Sequence, residues 1–324
     1  MNPVLRRILA ALAGGALACA MSASARAQVY PIKPIRLIAP ISPGAASDVL
    51  ARIVAPEMAA ALGQPVVVEN RPGADSLVGS EYVAKQVPAD GYTIVIILVG
   101  TLTSLPVLTK GVRFDPLKDL PPFIGLAEGK FTLVSSNGLP WTTFDELVAR
   151  AKPQPGRLNY GVGTALGRLL VEAVMQDLGV SMVHVPYPVV ANYMQALTAQ
   201  DIAVGLVSEQ LAIAQREKLR VLAVTGEERS KTFPDAPTFK ELGFPRVKGL
   251  SFTLNAPAGV PQPIIDRLQR NIAAVVASTE YRGMIEKAGS LPVSSSPAEL
   301  RQVINQTLED VASSIREFGM QQDQ

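Results

Sequence analysis

Thiols and imidazoles are almost missing from this chain. Its one cysteine is Cys19, near the start, and its one histidine is His184, inside an apolar run. One cysteine cannot form an internal disulfide, and beyond Cys19 there is no thiolate nucleophile and no cysteine-based metal site. A zinc site would have to rest on carboxylates. A lone histidine in a strand pattern reads as a packed residue rather than a general base. No Gly-x-Ser-x-Gly turn occurs, so a serine hydrolase lacks its usual nucleophile.

An excess of either charge is missing too. Met1 to Ala27 carries Arg6 and Arg7, an apolar core from Ile8 to Ala20, and the small-x-small site Ala25-Arg26-Ala27 before Gln28. That order reads as a cleaved secretory leader whose core is too short to span a bilayer. A rival cut before Cys19, in "ALAC", would leave a lipid anchor, although Ala16 stands where such sites usually carry leucine. Taking the leader's three arginines from the thirty Lys and Arg leaves 27 basic residues against 28 acidic ones. A near-neutral chain of about 297 residues, long enough for two domains, offers no nucleic-acid footprint. The longest later apolar run, "YTIVIILVGTLTSLPVL", is cut by Gly100 and Pro106 and is rich in β-branched residues. It reads as a buried strand, not a membrane span.

What is present is alternation. "IRLIAP", "PVVVEN", "DGYTIVIIL", "TLVSS", "LNYG", "MVHVPY", "IAVGLVS" and "LRVLAVTG" read as strands. Helical patterns lie between them at 48–62, 78–86, 143–152, 166–178, 191–199 and 208–217. The fold class is α/β, with parallel sheets covered on both faces. Thr143 to Glu146 and Ser296 to Glu299 fit capping boxes, and Leu300, Ile304, Leu308, Val311, Ile315 and Phe318 form the apolar stripe of a last helix. Pro56 predicts a kink or a break in the first helix.

The informative stretch is "LIAPISPGAASDVLARIV", where a strand stops and a helix starts with its first N–H groups open. A carboxylate suits such a helix end. Ser42 and Ser47 add hydroxyls, and Gly44 permits close approach. Equally, Pro43-Gly44 makes a turn and Ser47 or Asp48 caps the helix. "ENRPGADSLVGS" offers a similar turn, in which Asp75 would repel a carboxylate unless it faces solvent, caps the helix or meets a cation. "LNYGVGTALGRLL" spaces glycines as Gly161-x-Gly163-x-x-x-Gly167. That departs from the dinucleotide fingerprint, and "VHVPYP" ends without a ribose-binding acid. A second anion cradle around Thr164 is the simpler reading; Arg168 supplies charge or is solvated. No cofactor is expected.

Together "YPIKPIRLIAPISPGAASDVLARIV", "LGQPVVVENRPGA", "DGYTIVI", "KPQPGRLNYGVGT", "VHVPY", "KLRVLAVTGEERSKTFPDAPTFKELG" and "NAPAGVPQPIIDRL" resemble the solute-binding proteins of tripartite tricarboxylate transporters, the Bug family. The resemblance spans essentially all of the chain after the leader. It implies a two-domain periplasmic-binding-protein fold of type II kind with the ligand cleft between the domains. Residues 28–127 with 252–324 would form one domain and 128–251 the other. It implies a monomer in the periplasm that captures a small organic acid and docks transiently on membrane transporter subunits, without nucleic acid, metal or catalysis. A sensing role beside a membrane receptor would use the same cleft. Carried over, the ligand-binding residues are Ser42, Pro43, Gly44, Ala45, Ala46, Ser47 and Asp48, with Asp75 and Thr101, and across the cleft Gly163, Thr164 and Val189. Several positions depart from the family pattern: Ala45 replaces glycine, Asp75 and Ser76 replace a glycine pair, and Pro188-Val189 replaces a cation and glycine. Ala203 stands at a usually acidic position, and a histidine near Thr164 is absent. A less polar cleft, suited to a monocarboxylate with an apolar or aromatic body, is implied; Asp75 leaves room for an amino or amide group.

Overall fold

β1 (Ile35–Ala39), β2 (Val66–Asn70) and β3 (Thr93–Leu98) are parallel neighbours, joined through α1 (Ala46–Leu62) and α2 (Leu77–Lys85). The computed structural model describes residues 30–318, apart from 109–110, 188–189, 246, 248 and 294, and every element named here lies in a unit that begins at Lys33. The leader, Cys19 and Val189 fall outside the described residues. β1 and β3 are nearly continuous apolar runs because both of their faces are covered. Val95, Ile97, Leu102, Phe114 and Leu120 form one core on this side of the molecule.

Beyond β3 the chain enters α3 (Val99–Leu108) without a loop, then α4 (Pro116–Asp119) and β4 (Pro122–Gly129). The apolar run read as one strand is thus strand to Leu98 and helix afterwards. After a single residue, Lys130, β5 (Phe131–Ser136) opens a second sheet. That sheet gains β6 (Asn159–Val162), β7 (Val183–Pro186), β8 (Val204–Ser208) and β9 (Leu219–Val224), with helices α5 (Phe144–Ala151), α6 (Ala165–Leu178), α7 (Val190–Ala199) and α8 (Glu209–Ala214) between them. Its core includes Val134, Tyr193, Leu197, Ile202 and Val207. β10 (Leu250–Asn255) returns to the first sheet, followed by α9 (Gln262–Ala277), α10 (Thr279–Lys287), β11 (Ser290–Pro292) and α11 (Pro297–Phe318).

The strand orders are β11-β4-β10-β3-β1-β2 and β7-β6-β8-β5-β9. Both sheets wind alike: second, first and third strand, then an antiparallel strand arriving from the other sheet. β5, β10 and β11 are antiparallel, which corrects the all-parallel expectation. Sequence patterning recognises a buried strand but not the direction in which a returning chain enters.

α1 is continuous across Pro56, so no break occurs there. The carbonyl that loses its partner is that of Arg52, on the exposed face, where water can satisfy it. Ser296 and Glu299 close a reciprocal capping box at the start of α11. Thr143 accepts from Glu146 N–H, whereas the Glu146 carboxylate reaches back to Thr142 instead.

The register fixes how the sheets meet. Gly129 ends β4, which runs parallel to β3; Phe131 starts β5 opposite Ser208, the last residue of β8. One residue therefore links the carboxyl edge of one sheet to the carboxyl edge of the other. α11 packs on β4, α3 and α6, and so touches elements of both.

Candidate functional site

In an open α/β sheet the ligand crevice lies beyond the strands' carboxyl ends, where the winding direction reverses. That point falls between β1 and β3 in the first sheet and between β6 and β8 in the second. The segment 40–45 follows β1, α3 follows β3, and Gly163-Thr164 follows β6.

α1 begins with Ala45 as its cap residue, and alanine offers no side-chain acceptor. The first backbone bond into the cap runs from Val49 N–H to Ala45 O, which leaves the N–H groups of Ala46, Ser47 and Asp48 pointing out of the helix start. Gly44 has φ of 82°, a conformation that favours glycine, and no atom lies within 4 Å of where a Cβ would sit. Pro43 and Gly44 are exposed, Ser42 and Ala46 half-buried, and Ala45 and Ser47 buried.

The side chain of Asp48 is engaged from within the protein. The residue is 2% exposed, and its carboxylate accepts Gly44 N–H at 2.9 Å, Arg52 Nε at 3.0 Å and Asn70 Nδ2 at 2.8 Å. Asn70 also donates to Ile41 O at 3.1 Å and accepts from Arg52 at 2.9 Å. Burial alone would raise this carboxyl, but the bonds from Arg52, Gly44 and Asn70 outweigh it and hold it below the usual range. The side chain of Asp48 thus ties the 41–48 loop to Asn70 and Arg52.

The loop after β2 is a left-handed turn: Gly73, Ala74, Asp75 and Ser76 all have positive φ. It leads into α2, whose Gly79 lies so close to Arg71 O and Pro40 that a Cβ would sit 2.7 Å from each. Arg71 is tied to Glu69 at 2.6 Å and lies over the Tyr82 ring at 3.6 Å, while Arg36 holds the same Glu69 from the other side. Asp75 is half-buried at the end of this turn.

On the second sheet Thr164 caps α6, its Oγ1 accepting Gly167 N–H at 3.0 Å. Its own O–H remains a donor. Gly163 is exposed, and nothing lies within 4 Å of a Cβ placed there. Arg168 pairs with Glu172 at 2.7 Å, and Glu172 also accepts from Tyr160 at 2.9 Å. His184 packs against the Tyr160 ring, 5.1 Å between centroids, as a strand histidine should. Thr101, 3% exposed, lies in the first turn of α3. Beside it, a Cβ on Gly100 would fall 2.1 Å from Leu166 Cδ2, so α3 and α6 touch across the two edges.

The 41–48 loop, the 73–76 turn and Thr101 thus share one edge, and Gly163-Thr164 stands on the edge that adjoins it. The arginines near these loops, Arg52, Arg71 and Arg168, each hold a protein carboxylate. A cavity of about 640 Å³ lies elsewhere, beside the crossing segments, lined by Lys130, Glu209, Ser290 and Thr307 among others and by none of the expected residues. Among the described residues no cluster of three His, Cys, Asp or Glu side chains could hold a metal. Arg52 and Asn70 escape sequence reasoning as parts of the loop, although the Asp48–Arg52 spacing of four was a usable sign. Gly100 and Leu166 carry no local sign at all.

A family model described as the tripartite tricarboxylate transporter family receptor matches residues 50–320. The chain belongs to that receptor family. The match starts inside α1 and takes in Thr101, Gly163 and Thr164, while the loop before Asp48 precedes it. Protein BugT of Bordetella pertussis is 32% identical over 97% of this chain and 98% of its own. Among solved structures, the periplasmic binding protein BugD superposes with a TM-score of 0.83 at 25% identity, and Rpa4515 of R. palustris, solved with adipate, with 0.86 at 28%. Each covers 91% of this receptor and 100% of itself. The α/β winding of the receptor in two like sheets is therefore that of a periplasmic binding protein.

Proposed function

We propose that this receptor captures a small organic acid between the carboxyl edges of its two sheets and presents it to a tripartite transporter. The observation that carries the reading is the start of α1: three outward N–H groups above a glycine with open space beside it. A carboxylate there exchanges its water for N–H donors and the positive end of a helix dipole, which suits one negative charge. Thr164 and the first N–H groups of α6 supply donors from the second sheet. A relative at 28% identity was solved with adipate, a diacid. Two lobes, residues 28–127 with 252–324 and residues 128–251, would close on the guest by bending at Gly129–Phe131 and at the return into β10. Among the described residues no helix is long and apolar enough to cross a membrane, which accords with work in the periplasm after loss of the leader.

The test is a thermal-shift and calorimetry screen of mono- and dicarboxylates, since a guest that binds only the folded form raises the melting temperature. Gly163→Val should leave the fold intact, because no protein atom is near, and should lower affinity for the best acid at least about tenfold by filling the guest's space. Thr164→Ala should cost a smaller factor. Unchanged affinity in Gly163→Val, Gly44→Val and Thr164→Ala together would sink the site.

A further inference from the structure

We infer that Leu166 is the residue that sets how long a guest this receptor accepts, an inference that rests on the carboxylate reading just given. Leu166 is the second residue of α6, which follows β6 of the second sheet, yet its side chain reaches α3, which follows β3 of the first. Its Cδ2 lies 2.1 Å from the point where a Cβ on Gly100 would be, so the leucine rests directly on the glycine and would have to turn aside for any larger residue. Gly100 is in turn the second residue of α3, next to Thr101. The leucine is 9% exposed. Its contact therefore lies between the two hydroxyl-bearing turns, at Thr101 on one edge and Thr164 on the other.

α11 packs on both α3 and α6 and so backs the two helices where they meet. The leucine's own surface is apolar. A polar group driven against Leu166 would leave water and gain no hydrogen bond from it, an unfavourable exchange. An acid held by its carboxylate at the start of α1 is then limited in length by the leucine, and its far end meets hydrocarbon. Short acids, or acids with an apolar end of matching length, are favoured over elongated diacids.

The experiment measures calorimetric affinities of straight-chain monoacids from acetate to octanoate and diacids from malonate to suberate. It compares the wild type with Leu166→Ala, Leu166→Met and Leu166→Phe. Leu166→Ala should move the preferred length toward longer chains, with the affinity ratio of adipate to the wild-type favourite rising about tenfold or more, the scale of a few methylenes in a pocket. Leu166→Phe should move it toward shorter ones. Leu166→Met, close in volume, should fold normally and keep the wild-type order; should the alanine variant fold poorly, the phenylalanine variant still decides. Intact binding with the same preferred length in both size-changing variants would overturn the inference while leaving the carboxylate reading standing. Failure of the wild type to bind any acid of the series would overturn the reading, and the inference with it.

Discussion

Asp48 and Glu209 are both carboxylates, both at the start of a helix that follows a strand beside a winding reversal, and both almost wholly buried, at 2% and 3% exposure. Their surroundings move them in opposite directions. Asp48 takes three kinds of donor, from Gly44, Arg52 and Asn70, and is held low. Glu209 is pushed up by burial, only partly countered by the Ser230 hydroxyl and the positive charge of Lys130. Lys130 directs its ammonium to Thr225 O and Glu228 O rather than to the carboxylate. Burial by itself disfavours a negative charge; the number and kind of donors decide whether it survives. The first carboxylate fixes the loop offered to a guest. The second stands where the two sheets join, with its own N–H on Lys130 O and its neighbour Gln210 on Ser290 Oγ at 2.7 Å.

Removing Asp48 gives the largest expected effect. Asp48→Ala leaves Gly44 N–H and Arg52 Nε without their acceptor and Asn70 Nδ2 with Ile41 O alone, which costs on the order of 3 kcal/mol in urea unfolding and loosens the binding loop. The low carboxyl of Asp48 also signs the pH response. Stability from it is complete above the ordinary aspartate range and is lost as pH falls through the depressed native value. Asp48→Asn should therefore flatten the acid limb of the stability curve. An acid limb unchanged by Asp48→Asn would break the contrast.

Glu209 has the opposite sign and a smaller size. Its stabilising share is complete below the ordinary glutamate range and is lost as pH rises through the elevated native value. Glu209→Gln keeps the shape and cannot ionise, so it should be the more stable protein above neutral pH, by about 1 kcal/mol, the scale of one buried hydrogen-bonded group. The difference should shrink toward pH 4. A variant less stable than wild type at pH 8 would show that the carboxylate form is the one the joining region needs.

Much of this architecture can be read without coordinates. β1, β3, β5, β8 and β9 follow from apolar runs, and Gly63, Gly179 and the Ser296–Glu299 box mark helix ends. β4, β10 and β11 are harder to see: "PFIGLAEG" and "LSFTLN" alternate weakly, and their place depends on partners more than a hundred residues away in sequence. At the site, outward N–H groups are legible because they depend on one turn of chain. The contact of Gly100 with Leu166 is not, because it exists only once two sheets have been folded and brought edge to edge. Asp48 was legible as part of the loop but its bonds to Asn70 and Arg52 were not, since Asn70 is brought to it only by the pairing of β1 with β2.

A third acid sharpens the comparison at the smallest scale. Asp75 has φ of 50° and lies between Ala74 at 45° and Ser76 at 74°, three consecutive side chains in the left-handed region. Each such residue is strained by roughly 1–2 kcal/mol, aspartate less than most because its short side chain tolerates the conformation. Glycine would remove the strain, but it enters folding with more freedom to lose, about 0.5–1 kcal/mol. The two backbone terms nearly cancel, leaving about 0.5 kcal/mol in favour of Asp75→Gly from the backbone alone. The measurement is paired urea curves at two salt concentrations, with the guest absent. A gain near that size at both would mean that the backbone alone governs this position, unlike Asp48 and Glu209, where the carboxylate does. A loss that grows as salt is lowered would mean that the Asp75 charge stabilises the turn, and would place all three acids in one class, each held by what its carboxylate meets.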